Sequence, residues 1–133
     1  MSEVPTFLTV DQVLAVHRRM IEEFGGDPSV RDPGLLESAV MMPAAQFGGQ
    51  YLHDGIPDMA AAYLFHICKN HAFVDGNKRA ALASAEMFVL LNDQRLDATN
   101  DELEDLTLGV AESRISKDEA TEFFRRHVVG AES

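Results

Sequence analysis

Apolar residues recur at helical spacing along most of this chain, and the places where the spacing fails mark its organisation. Val13, Leu14, His17, Ile21 and Phe24 fall on one face of a first helix that ends at Gly25-Gly26, and Thr9 and Gln12 stand before it at capping-box spacing. A Gly-Gly-Asp-Pro-Ser turn follows. Asp32 before Pro33 reads as an N-cap with proline at the first helical position, and Leu35, Leu36, Ala39 and Val40 then predict a short second helix stopping at Pro43. From Ala44 to Pro57 the periodicity disappears. This segment carries Phe47, Tyr51 and three glycines, so it is expected either to cover the core or to form a flap that offers an edge to another chain. His53 within it reads as a surface residue.

Two strongly apolar runs come next. Met59 to Cys68, capped by Asp58, and Ala80 to Leu91 leave almost no polar face, which is the pattern of helices at the centre of a bundle. The last third is amphipathic. Asn100 is expected to cap a helix using Leu103, Leu106, Leu108, Val110 and Ala111, with Asp101, Glu102, Glu104 and Asp105 as a solvated acidic face. Ser116 and Glu119 form a second capping box ahead of a final stripe of Ala120, Phe123, Phe124 and Val128. No strand is predicted outside the flap. The expected fold is all-α, five to six helices around a central pair with an irregular or β-hairpin flap, in a single domain over residues 1–133.

Composition narrows the partners. Eleven basic against 22 acidic residues give a formal net charge of −11, which repels phosphate backbones and anionic lipid, so neither direct nucleic-acid binding nor membrane binding is expected. The single cysteine, Cys68, cannot form an internal disulfide and reads as core. With no basic leader and no run of membrane-spanning length, a cytoplasmic location is expected.

The candidate chemistry is concentrated between the two central helices, in the nine residues His71-Ala-Phe-Val-Asp-Gly-Asn-Lys-Arg79. A loop that enters a helix N-terminus exposes unpaired amides at the positive end of the helix dipole, a ready anion site. Gly76 is expected to let the backbone approach a phosphate without a Cβ in the way. The amides of Gly76, Asn77 and Lys78 would cradle it, and Arg79 would add a planar fork. Asp75 supplies the single carboxylate that a hydrated Mg²⁺ needs. His71 can act as general base on a hydroxyl, because imidazole titrates near neutrality, and Phe73 anchors the loop. Together these specify transfer of a phosphorus group from a nucleotide to a hydroxyl. A metal-hydrolase reading of His66 and His71 fails, since that spacing does not put them on one helix face.

The joint spacing His71-x-Phe73-x-x-Gly76-Asn77-x-Arg79 resembles the signature of the Fic/Doc family. The likeness is greatest to its Doc branch, the death-on-curing toxins of toxin–antitoxin modules. It extends over nearly the whole chain, through Phe24 to Pro28, Arg31-Asp32-Pro33-Gly34-Leu35, Asp105-Leu106-Thr107-Leu108-Gly109 and Ile115-Ser116. The resemblance implies a Fic fold whose loop binds ATP or another nucleoside triphosphate with Mg²⁺, and a flap that aligns a target segment by strand addition. It implies His71 as base, Asp75 as metal ligand, and Gly76, Asn77, Lys78 and Arg79 as phosphate binders. In Doc-like proteins the activity is phosphorylation of elongation factor Tu, which arrests translation; most other Fic proteins transfer AMP.

Lys78 and Leu82 stand where AMP-transferring members carry glycine and a second arginine, which favours a kinase. Gly76, where Doc carries alanine, and Ala72, where proline is common in Fic, point the other way. No glutamate in the chain is followed by glycine or asparagine, so the family's self-inhibitory pattern is missing and restraint is expected from an antitoxin in trans. Two non-enzymatic readings stand beside these: an inactive Fic-fold binding module, and a helical interaction domain with a coincidental motif.

Overall fold

The structure, a computed structural model, describes residues 4–130. Its elements in order are α1 (Val10–Phe24), α2 (Pro33–Met41), a 3₁₀ turn (Met42–Ala44), β1 (Gln46–Phe47), β2 (Gln50–Tyr51), α3 (Ile56–Asn70), α4 (Asn77–Leu91), β3 (Gln94–Leu96), α5 (Asn100–Ala111), α6 (Lys117–His127) and β4 (Val128–Gly130). Six α-helices thus make up most of the fold, as the apolar periodicity predicts. No helix among the described residues is long and apolar enough to cross a membrane.

The start signals of α1, α2 and α6 operate as read. Thr9 and Gln12, and likewise Ser116 and Glu119, exchange both capping-box hydrogen bonds, while Asp32 accepts from the Leu35 amide ahead of Pro33. Two caps differ. The box of α5 is Thr99 with Glu102, one residue before the expected Asn100, because Thr99 rather than Asn100 holds extended backbone angles. The cap of α3 is Gly55, and Asp58 lies within the first turn. Its carboxylate does not cap; it accepts two hydrogen bonds from Arg125 on α6, at 2.9 and 2.7 Å. Asp58 is buried, so this bidentate pair ties the two helices while keeping a desolvated charge satisfied.

The apolar run of α3 occupies the centre, with α4, α6, α2 and α5 packed around it. Met59 through Leu64, Ile67 and Cys68 are almost wholly inaccessible, and they meet Ala80, Ala81, Ala85, Phe88 and Val89 of α4. Small residues on both helices let the backbones approach closely. Tyr63 packs on Phe88 and takes a hydrogen bond from the Leu8 amide at 2.9 Å, fixing the segment before α1 to the core.

The irregular segment is a hairpin in part: β1 and β2 pair antiparallel through Gly48 and Gly49, whose φ values of +59° and +80° suit the tight turn that only glycine adopts without strain. Phe47 at its tip is 81% exposed. Beyond the flap, one strand pair was not predicted. β3 and β4 align Gln94 with Gly130 and Leu96 with Val128, and three residues a side are too few for alternation to register.

On the α3–α6 face, Lys117 donates to Nε2 of His66 at 3.0 Å, so His66 must be neutral there. Burial and the Lys117 charge push its pKa from 6.5 to about 4. His53, expected at the surface, is half-buried; its Nδ1 has no hydrogen-bond partner among the described residues, and burial likewise lowers its pKa. Because the unfolded chain takes up these protons first, stability is complete above pH 6.5 and declines as the pH falls toward 4. Glu102 and Glu119, lowered from 4.5 by their cap hydrogen bonds, lose their contributions only further down. Urea midpoints measured between pH 7 and 4.5 should therefore fall, and His66→Gln should flatten most of that slope; an unchanged slope would contradict the assignment.

Candidate active site

The segment joining α3 to α4 is short and heavily constrained. His71 terminates α3 in the left-handed region, at φ +51°, which turns the chain sharply out of the helix. Arg31 reaches over this end, its Nε donating to the His71 carbonyl at 2.8 Å, and so supplies a cation where the last carbonyls of α3 lack partners. The stretch from Ser29 to Asp32 runs alongside the loop: the amides of Arg31 and Asp32 both donate to Ala72, and that of Val74 donates to Ser29. Within the loop, Asn77 closes a ring with Phe73, accepting from its amide at 3.1 Å and donating to its carbonyl at 2.9 Å. The Asn77 side chain thereby fixes the shape of the loop.

α1 holds the loop from beneath. Phe73 is buried and stacks on the His17 ring with centroids 3.6 Å apart and planes 5° from parallel. His17 Nε2 donates to the Asp75 carbonyl at 2.7 Å. The Asp75 carboxylate is positioned by the turn after α1, where the Asp27 amide donates to Oδ2 at 2.8 Å. Gly76 takes φ +79° at the start of α4, and a Cβ there would come within 3.2 Å of Ile21 Cδ1 and 3.4 Å of His17 Nε2. The backbone turn and close packing on α1 thus require the glycine independently of any anion.

Helix α4 starts with no side-chain cap, unlike α1, α2, α5 and α6. Its first amides are thus unpaired at the positive end of the dipole. They open on a cleft of about 410 Å³ lined by His71, Asp75, Gly76, Asn77, Lys78 and Arg79, so the six candidate site residues all border one space, while Phe73 lies outside it. The Arg79 guanidinium rests 4.2 Å above the Phe24 ring, a cation–π contact. Phe24 is half-exposed and serves as this platform instead of entering the core.

The opposite wall comes from α5, through Glu104, Thr107, Leu108 and Ala111, with Cys68, Val74 and Leu82 between. Cys68 borders the cleft yet is 1% exposed, and burial raises its pKa, so it stays a thiol. His17, Asp27 and Glu104 were not singled out. The imidazole of His17 within an otherwise apolar helical stripe was the one local signal available for them.

The donor set bears on the expected metal. Among the described residues no group of three or more His, Cys, Asp or Glu side chains could hold an ion. Asp75 offers one carboxylate with Oδ2 already engaged by Asp27. That fits Mg²⁺, which takes most of its shell from phosphates and water, and does not fit a transition metal needing several protein ligands.

Comparison with known proteins identifies the family. Residues 7–89 match the family described as the Fic/DOC family, and the chain belongs to it. It is 46% identical over 90 residues to "Toxin Doc" of Mycolicibacterium smegmatis, covering 66% of this chain and 69% of that protein. It is also 32% identical over 125 residues to "Protein kinase doc" of Escherichia phage P1, covering 94% of this chain and 98% of that protein.

Proposed function

We propose that this chain is a Doc-like toxin that transfers a phosphoryl group from ATP, or another nucleoside triphosphate, to a Ser or Thr hydroxyl of a target protein. The observation that carries this reading is the shared cleft: His71, Asp75 and the uncapped start of α4 with Lys78 and Arg79 all border it. His71 removes the proton as the hydroxyl oxygen attacks the terminal phosphorus. The bond from that phosphorus to its bridging oxygen breaks, and the diphosphate leaves. The amides of Gly76, Asn77 and Lys78 and the Arg79 guanidinium hold the phosphate oxygens. Asp75 would hold Mg²⁺, whose chemistry when bound is neutralisation of phosphate charge.

Phosphoryl transfer is preferred to AMP transfer because Lys78 and Leu82 border the cleft where AMP-transferring family members carry glycine and arginine. The proposed target is elongation factor Tu, with arrest of translation as the outcome, and the proposed restraint is an antitoxin chain that places a glutamate near Arg79. The two curated relatives, one named a toxin and one a protein kinase, support this reading.

The test is incubation of the purified chain and a cell extract with ATP labelled in turn at the γ and α positions. Label reaching protein only from the γ position is the expected result, without removal of any internal segment. Label from the α position would replace the kinase by an AMP transferase. Nucleotide binding with no transfer would leave an inactive binding module.

A further inference from the structure

The cleft has two kinds of lining. One is the unpaired start of α4 with Lys78 and Arg79; the other is apolar, Cys68 of α3, Leu82 of α4, and Leu108 and Ala111 of α5. Glu104, Leu108 and Ala111 share one face of α5, because their spacing follows the helical turn. Glu104 is the only acidic residue of the Asp101–Asp105 cluster that borders this cleft. Glu102 is committed to the Thr99 cap and lies near His127. Glu104 makes no ion pair among the described residues although Lys78 and Arg79 border the same space, so its carboxylate is available to a ligand. Its neighbour Thr107 donates its hydroxyl back to the Leu103 carbonyl at 2.8 Å.

A carboxylate repels a polyphosphate, so the phosphates belong at the start of α4 and Glu104 meets the nucleoside. Two carboxylate oxygens pair best with two adjacent donors. Resting on the reading that this cleft takes a nucleotide, we propose that Glu104 is its specificity residue, accepting from a vicinal donor pair of the nucleoside while the base lies between Leu82 and Leu108. Two parts of a nucleoside present such a pair: the ribose 2′- and 3′-hydroxyls, and the N1–H and N2–H edge of guanine. Adenine offers only its exocyclic amine. Selectivity for the nucleotide is thereby carried by α5 and not by the loop.

The experiment is equilibrium titration of the full chain at fixed Mg²⁺ with GTP, inosine triphosphate, ATP and the 2′-deoxy forms of GTP and ATP, using wild type and Glu104→Gln. A charge-assisted hydrogen bond predicts that wild type binds the nucleotide lacking the recognised donor about 10- to 100-fold more weakly. Loss with inosine triphosphate identifies the guanine edge, and loss with the deoxy forms identifies the ribose. Glu104→Gln should then bind the members of that pair equally. Should the variant keep the wild-type ranking, or bind every nucleotide more tightly by the same factor, the carboxylate recognises nothing and the proposal is overturned. Failure of folded wild type to bind any nucleotide would instead remove the cleft reading itself, and Glu104 with it.

Discussion

Replacing His71 with alanine should lower transfer to the target protein about 10²- to 10⁴-fold, the contribution typical of a positioned general base. The unfolding free energy should change by no more than about 0.5 kcal/mol, since the side chain is exposed. The contrast between those two numbers is what makes the variant informative. Arg31 binds the His71 backbone carbonyl, which alanine retains, so the end of α3 stays tied in place. Nucleotide affinity should also stay near wild type, because the proposed phosphate donors lie beyond Asp75. Single-turnover transfer and nucleotide titration on the same preparation check this. Full transfer by the folded variant would remove His71 from the chemistry.

Phe73→Ala should have the opposite signature, costing about 3–5 kcal/mol of stability as buried aromatic truncations do. Phe73 is 1% exposed and stacked on His17, so its loss opens a cavity under the loop and frees the imidazole that holds the Asp75 carbonyl. Denaturant unfolding measures the effect, and Phe73→Leu should show a smaller share of it. If Phe73→Ala left stability untouched, the loop would be held by its backbone hydrogen bonds alone.

These two residues also illustrate what local sequence carries. His71 and Phe73 lie in a run whose chemistry can be read by eye, and the capping boxes at Thr9 and Ser116 are signals between residues three apart. Asp58 looks like another cap. What it does instead is bind Arg125, a partner 67 residues away that no local pattern announces. Asp27 and Glu104 escape for the same reason, since each acquires its place only when distant elements pack. The β3–β4 pair escapes differently: its strands are too short to show a period, and pairing depends on the C-terminal end of α6 meeting the turn after α4.

The bare start of α4 has a thermodynamic side as well. Four of the helices close their own first turns with a side chain; α3 and α4 do not, and of these two it is α4 whose start carries the proposed phosphate donors. An anion accepting those amides would bind the native chain and not the unfolded one. Its concentration would then set how firmly the native state is populated, so the supply of such an anion and the lifetime of the folded protein would be linked.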